Sequence, residues 1–241
     1  MNGPLPKKRG APRMGPNPPA RPQDGPGLAH AAAQRNRLLD LQLLAPVMKA
    51  IDGRLSRDGR AVVALDGMCG AGKTTLAALL GQRYATAPIH MDDFFLPPTL
   101  RTPQRLAAPG GNVHYERFLD EVLMALARGG GVRYRRFDCA TGAFAPCAHT
   151  PAPVTVIEGS YCHHPAFAGT YRLLRALRVF VSVDKGEQLA RLRLRAPEKL
   201  ERFQSLWIPL ENCYFQAYDI MHGADIALMS QPWERPKEAA E

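Results

Sequence analysis

The chain has 241 residues, 46% of them hydrophobic, and a formal net charge of +9. This length can bury one sizeable core, so we expect one folded domain. No run approaches the roughly 18 apolar residues that a membrane span needs, and no apolar signal segment is visible, which favours a soluble cytoplasmic protein. The five cysteines contain no Cys-x-x-Cys pair, so neither a disulfide framework nor a zinc ribbon is predicted.

The N-terminal segment carries much of the positive charge. Eight prolines occur up to Pro26, with glycines and basic residues between them. This composition predicts a disordered tail over residues 1–29. Because the charge is concentrated there, we expect no nucleic-acid binding beyond weak contacts made by the tail. Residues 30–58 have apolar side chains near helical spacing and predict a helical segment that packs on the domain, with Pro46 as a break or a helix start.

A phosphate-binding loop follows the first predicted strand. Residues 61–66 are an apolar run, and the next eight have the Gly-x-x-x-x-Gly-Lys-Thr spacing of a P-loop. Glycines let backbone N–H groups surround an anion, and a helix that begins near Lys73 turns its positive end toward it. Lys73 adds charge for the β- and γ-phosphates, and Thr74 offers a hydroxyl to Mg²⁺. The predicted nucleotide-binding residues are Gly67, Cys69, Gly70, Ala71, Gly72, Lys73, Thr74 and Thr75.

The rest of the chain alternates between strands and helices. Such alternation predicts an α/β fold with a mostly parallel sheet, here a P-loop NTPase-type three-layer fold with a helical lid. The proline-rich loop over residues 96–114 is long for a compact domain, so we expect it to bind a ligand. The predicted strands are 61–66, 88–91, 132–137, 154–157, 177–183 and 225–229, and the predicted helices are 73–85, 115–128, 186–196 and 204–222.

Carboxylates follow two of the predicted strands. In parallel sheets the ligand lies beyond the carboxyl ends of the strands, where this sequence has Asp92, Asp93 and Glu158. Adjacent carboxylates point to opposite sides of an extended chain, so we expect one of the aspartates to face the nucleotide as a general base or a Mg²⁺ contact. The other would be structural. Glu158 would hold Mg²⁺ through water or orient the acceptor.

Two arginines four residues apart suggest a lid over the transferred phosphoryl group. Arg191 and Arg195 share one face of a predicted helix, where they would stabilise developing charge, and a solvated basic face is the alternative. His114 stands at the end of the proline-rich loop, where it could touch the substrate.

Together these motifs resemble the uridine kinase and phosphoribulokinase branch of P-loop kinases, over about residues 61–230. The most specific pieces are 66–74, His-Met-Asp-Asp-Phe-Phe at 90–95, Gly-Gly-Asn-Val-x-Tyr-Glu-Arg-Phe at 110–118, Phe-Asp at 137–138, Ile-Glu-Gly-Ser-Tyr at 157–161 and Trp-Ile-Pro-Leu-Glu at 207–211. The resemblance implies an ATP- and Mg²⁺-dependent kinase with Asp92 as the catalytic base. It implies catalytic roles for Lys73, Glu158, Arg191 and Arg195, metal contacts from Thr74, Asp92 and Glu158, and acceptor contacts from Asp92, Phe95, His114, Tyr115, Phe137, Asp138 and Glu158.

Two departures from the family concern the acceptor. His114 stands where uridine kinases usually have an acidic residue that binds the ribose hydroxyls, and the family's histidine shortly after the position of Asp138 is missing. Uridine or cytidine is the first acceptor to consider, another hydroxylated metabolite such as pantothenate or glycerate is an alternative, and a nucleotide-binding regulator without turnover is another. The expected organisation is a tail (1–29), a helical segment (30–58), a P-loop kinase domain (59–232) and a C-terminal tail (233–241). A homo-oligomer is a candidate assembly.

Overall fold

The structure is a computed structural model that describes residues 26–233 of the chain, with side chains from residue 33 onward. The predicted N-terminal tail lies outside the described residues up to residue 25, and its last four residues are helical instead. Of the predicted C-terminal tail, only Trp233 is described.

Seven strands form two sheets. In chain order they are β1 (Ala61–Gly67), β2 (Ile89–His90), β3 (Val132–Phe137), β4 (Phe144–His149), β5 (Val154–Glu158), β6 (Leu177–Val183) and β7 (Ile226–Ser230). Five of them make a parallel sheet in the order β2-β5-β1-β6-β7. Glu158 pairs in register with Leu65 of β1 and with His90 of β2, so the carboxyl ends of these three strands lie side by side.

Helices cover both faces of the parallel sheet. They are α1 (Pro26–Asp58), α2 (Lys73–Tyr84), α3 (Pro103–Ala107), α4 (Tyr115–Phe118), α5 (Met124–Ala127), α6 (Ala168–Leu174), α7 (Lys185–Arg195), α8 (Leu200–Arg202) and α9 (Ile208–Ala217). Turns of π-helix join α4 to α5 and α8 to α9. The helix predicted over 204–222 begins as a turn of π-helix and ends earlier than expected, at Ala217. Among the described residues, no helix combines the length and the apolar character needed to cross a bilayer.

The alternation of side chains along β1 divides the core into two layers. Val63 and Leu65 face one cluster, which α1 and α2 cover, whereas Val62 and Ala64 face the other, which α4, α5, α6, α9 and the small sheet cover. Because successive strand residues point to opposite faces, a strand buried on both faces reads as one continuous apolar run. This arrangement confirms the predicted three-layer α/β fold.

The second sheet is a hairpin that the sequence analysis did not predict. β3 pairs antiparallel with β4 and takes no part in the parallel sheet. The strand pattern of β3 is clear, but β4 contains Pro146 and alternates only between half-buried and exposed residues, so its pattern resembles a loop.

Helix α1 passes through Pro46, where we expected a break or a start. A proline inside a helix removes one backbone hydrogen bond. The packing of the same helix compensates for that loss, since Leu44, Val47 and Ile51 are all fully buried against the sheet.

Gly67 is the point at which β1 turns into the P-loop. Its φ of 137° lies in a region that side chains rarely adopt, and a Cβ there would approach the Val181 carbonyl oxygen to 2.0 Å. No side chain can occupy this position without moving β6.

We therefore expect Gly67→Ala to lower the free energy of unfolding by about 1–3 kcal/mol, because the added methyl collides with backbone. The matched control is Gly53→Ala inside α1, where a Cβ meets nothing within 4 Å. That change should stabilise the helix by about 0.5–1 kcal/mol. Urea unfolding of both variants tests this pair, and equal effects would contradict the account.

Candidate active site

A cleft of about 970 Å³ opens at the carboxyl ends of β1, β5 and β2. It contains most of the predicted site residues, which come from four separate parts of the chain. Those that line it are Cys69, Gly70, Gly72, Lys73, Thr74, Thr75, Asp92, Phe95, Glu158, Arg191 and Arg195. Gly67 and Ala71 belong to the same loop but do not line the cleft.

The buried carboxylate of Asp66 fixes the start of the P-loop. Asp66 is 0% exposed, and its Oδ1 accepts hydrogen bonds from the backbone N–H of Gly67 (2.6 Å) and of Tyr161 (3.1 Å). Its Oδ2 accepts from the N–H of His163 and from the hydroxyl of Tyr214, both at 2.8 Å. One side chain thus joins the P-loop to the loop after β5 and to α9.

Lys73 lies against the P-loop backbone. Its ammonium donates to the carbonyl oxygens of Gly67 (2.6 Å) and Met68 (3.0 Å) and to Ser160 Oγ (3.2 Å). Helix α2 begins at this residue, after Gly72 with a left-handed φ of 94°, and no side chain caps its first turn. The free N–H groups of that turn and the lysine make the floor of the cleft an anion site.

Glu158 connects two polar side chains from different parts of the chain, Thr74 and His90. Both of its carboxylate oxygens lie 3.3 Å from Thr74 Oγ1, and Oε1 lies 2.5 Å from His90 Nδ1. This hydrogen bond raises the pKa of His90, against the opposing effect of burial. His90 belongs to a motif quoted above, but the sequence analysis assigned it no role of its own, because only the pairing of β2 with β5 places it beside Glu158.

The adjacent carboxylates of Asp92 and Asp93 face different parts of the molecule. Asp92 opens into the cleft, while Asp93 turns away and accepts a 2.7 Å hydrogen bond from the Tyr134 hydroxyl. Burial among the residues of the cleft, followed by the negative charge of Glu158, raises the pKa of Asp92 to about 6. A carboxylate with that pKa can take up a proton near neutral pH, which suits it to general base catalysis.

The two arginines of α7 differ in their freedom. Arg191 is buried, 2.8 Å from Glu187 Oε1 and 3.0 Å from Ser230 Oγ, and its guanidinium stacks on Trp233 at 4.3 Å. Arg195 is exposed at the mouth of the cleft, with its guanidinium over the Phe203 ring. Arg191 therefore contacts residues 230–233, whereas Arg195 stands exposed at the cleft, where a lid residue would be.

Glu211 is a site residue that the sequence analysis missed. It is buried in the cleft wall, where Oε2 accepts from the backbone N–H of Cys69 at 2.9 Å and Oε1 accepts from Ser160 Oγ at 2.6 Å. Burial and the Glu211 charge raise the pKa of the Cys69 thiol, so the thiol stays protonated. The only sequence signal for Glu211 is its place in the motif at 207–211.

Four predicted acceptor residues lie outside the cleft. His114 lies 3.1 Å from a carboxylate oxygen of Glu116, and Tyr115 stacks on His164 with ring centroids 4.2 Å apart. Phe137 is buried at the end of β3, and Asp138 accepts from the backbone N–H groups at 140 and 141 in the hairpin turn. Asn112 and Tyr161, to which the sequence analysis assigned no role, line the cleft beside Phe95 instead.

The oxygen ligands fit a magnesium ion that is held mainly by a bound triphosphate. The Thr74 hydroxyl and the Glu158 carboxylate are hard oxygen donors, and Mg²⁺ in such sites keeps several waters and takes one or two protein carboxylates together with substrate phosphates. Over residues 26–233 no group of three or more His, Cys, Asp or Glu side chains could hold a metal ion by itself. The fit therefore depends on the nucleotide.

Asp66→Asn should lower the free energy of unfolding by about 2–3 kcal/mol, because the amide group leaves two of the four buried donors without an acceptor. Asp120→Asn removes the same charge from an exposed position and should change it by less than about 0.5 kcal/mol. Chemical unfolding of both variants measures the difference. A wild-type stability for Asp66→Asn would show that these hydrogen bonds do not hold the loop.

Comparison with solved structures finds P-loop kinases. The chain is 26% identical to a candidate fructose transport system kinase from Silicibacter sp., with a TM-score of 0.56 over 78% of this chain and 98% of that one. A possible uridine kinase from Bacillus stearothermophilus is 18% identical, with a TM-score of 0.52 over 81% and 97%. A candidate P-loop kinase with a circular permutation from Saccharomyces cerevisiae is 14% identical, with a TM-score of 0.54 over 83% and 99%.

No family model and no curated protein sequence matches the chain. The solved structures are each covered almost completely, so the likeness extends over the whole of those proteins. It agrees with the P-loop, the parallel strand order and the cleft beyond the carboxyl ends of the strands. The chain therefore has the fold of these P-loop kinases, and its motifs resemble those of the uridine kinase and phosphoribulokinase branch.

Proposed function

We propose that the protein transfers the γ-phosphoryl group of ATP to a hydroxyl of a small molecule. The observation that carries this proposal is that the Asp92 carboxylate and the P-loop lysine open into the same cleft. A nucleotide-binding protein without turnover needs the P-loop but has no use for a carboxylate with a raised pKa facing it. The cleft is large enough for a nucleotide and a small acceptor together.

Each residue has a defined part in this reaction. The α2 N-terminus and Lys73 bind the phosphates, and Thr74 and Glu158 would hold Mg²⁺, which neutralises developing charge when it is bound. Asp92 takes the proton from the acceptor hydroxyl, and His90 orients Glu158 through their hydrogen bond. Arg195 closes over the transferred group from α7.

The acceptor side is formed by Asp92, Phe95, Asn112 and Tyr161. Uridine and cytidine stay the first acceptors to test because the motifs resemble those of uridine kinases. Fructose joins the panel because one similar structure is described as a fructose transport system kinase. Glycerate and pantothenate complete the panel. His114 stands where uridine kinases usually have the carboxylate that binds the ribose hydroxyls, and these two acceptors have no ribose.

ADP formation with ATP and Mg²⁺ should rise severalfold with one acceptor of this panel. Lys73→Ala and Asp92→Asn should each lower the stimulated rate by at least about 10²-fold, because they remove phosphate binding and the base. Asp93→Asn is the matched control: it makes the same change one residue away, outside the cleft, and should keep most of the activity. Equal losses in the two asparagine variants would exclude Asp92 as the base.

Arg195→Ala should lower kcat by about 10²-fold with little change in stability, because an exposed lid arginine acts on the transition state. Arg193→Ala, on the same helix but outside the cleft lining, should leave kcat unchanged. Steady-state kinetics at saturating ATP compares the two. A loss of kcat in Arg193→Ala of the same size would indicate a general effect of charge on α7.

A nucleotide-binding regulator is the second candidate, and the Glu211 contact favours it. Glu211 accepts a hydrogen bond from the backbone N–H of Cys69, which a phosphate would otherwise use, so this P-loop donor already has a partner within the protein. This candidate predicts tight ATP binding with no stimulation of ADP formation by any acceptor. Such a result, with Lys73→Ala abolishing the binding, would replace the kinase proposal.

A further inference from the structure

A second polar cavity lies away from the cleft. Its volume is about 340 Å³, and it is an open cavity bordered by α1, by one face of α6, by the start of β6 and by the residue that precedes β7. None of the residues that line it also lines the active-site cleft. The cavity lies at the amino-terminal edge of the parallel sheet, whereas the P-loop lies at the carboxyl edge.

Four arginines and one aspartate line this cavity. Arg175 pairs with Asp58 at 3.1 Å, and the backbone and guanidinium of Arg178 both approach Asp225. The other two have no carboxylate partner among the described residues: Arg54 donates only to the backbone carbonyls of residues 175 and 50, and the guanidinium of Arg172 makes no hydrogen bond or ion pair there. Two guanidinium groups without a neighbouring carboxylate give the cavity a positive potential, which favours an anion there.

His163 adds a buried hydrogen-bond acceptor to the same cavity. The ring is 8% exposed, and its Nε2 lies 2.9 Å from the Ala64 carbonyl oxygen. A carbonyl only accepts, so Nε2 carries the proton, and since burial lowers the pKa of His163 the ring is neutral with a lone pair on Nδ1. Nδ1 is buried and has no hydrogen-bond partner in the described part of the chain.

We infer that this cavity, the rear anion site, binds a small phosphate monoester that also carries a free hydroxyl. The phosphate oxygens join Arg54 and Arg172, whose forked donors match them, and the hydroxyl donates to His163 Nδ1. The cavity is of the size that small-molecule sites have.

The rear anion site is also connected to the P-loop. The backbone N–H of His163 donates to Asp66, and Asp66 accepts from Gly67, so only one carboxylate separates the two sites. A ligand at the rear anion site is distinct from the phosphoryl acceptor, because Asp66 lies between this cavity and the P-loop and the two cavities share no lining residue.

Calorimetric titration with glycerol 3-phosphate tests the site in the full-length protein without nucleotide. We expect wild type and Lys73→Ala to bind it at the rear anion site, and Arg54→Gln/Arg172→Gln to bind at least about tenfold more weakly. The matched control is Arg128→Gln/Arg133→Gln, which removes two exposed arginines elsewhere and should leave the affinity unchanged. Methyl phosphate, which lacks the hydroxyl, should bind several-fold more weakly than glycerol 3-phosphate.

The outcomes separate this inference from the proposed kinase activity. Loss of all binding in Lys73→Ala alone would place the ligand at the P-loop and overturn the rear anion site without affecting the kinase proposal. Equal weakening in both double variants, or no binding to wild type, would overturn it as well. Arg172→Gln alone removes an exposed side chain without a partner, so the fold stays intact, and unchanged affinity in that variant would contradict the inference. Binding of a DNA duplex but not of glycerol 3-phosphate would make the surface a polyanion site instead.

Discussion

The four hydrogen bonds accepted by Asp66 are the constraint on which the candidate site depends. A carboxylate without exposed surface is costly to bury unless its oxygens are satisfied, and here three backbone N–H groups and one hydroxyl satisfy them. The donors come from the P-loop, from the loop after β5 and from α9. Glu158 is the last residue of β5, directly before that loop, and Glu211 lies in α9. The same hydrogen bonds therefore position both glutamates beside the P-loop before any ligand binds.

This arrangement explains how a cleft with several negative charges can serve an anionic substrate. Asp92, Glu158 and Glu211 all line it, and burial, together with the charges of the two glutamates, raises the pKa of Asp92. Lys73, the α2 N-terminus and Arg195 supply the opposing positive potential, and a bound metal would add to it. In the proposed reaction the carboxylates would set the geometry and take the proton, while the cations would bind the phosphates.

Local sequence signals predicted the parts of the site that depend on a short stretch of chain. The P-loop spacing, the run of β1 and the adjacent Asp92 and Asp93 each lie within a few residues, so one motif indicates both strand and function. Glu211 and His90 could not be found that way, because their roles arise from contacts across 142 and 68 residues of sequence. The hairpin strand β4 was missed for a related reason: its pairing with β3, rather than its own pattern, makes it a strand.

The arginines of α7 show where spacing fails as a guide. A separation of four residues places Arg191 and Arg195 on one helix face, but it does not tell how far each is buried. Contacts with the Glu187 carboxylate and the Trp233 ring hold Arg191 in place. Arg195, one turn further along, is exposed at the cleft and lies over the Phe203 ring.

The central claim, phosphoryl transfer to a hydroxyl in this cleft, is tested most directly by following the γ-phosphoryl group itself. ATP labelled with ¹⁸O in that group, incubated with the protein, Mg²⁺ and an acceptor, should yield a labelled phosphate monoester of the acceptor by mass spectrometry. Label found only in inorganic phosphate, with every acceptor unmodified, would make the protein a nucleotide hydrolase and would contradict the account.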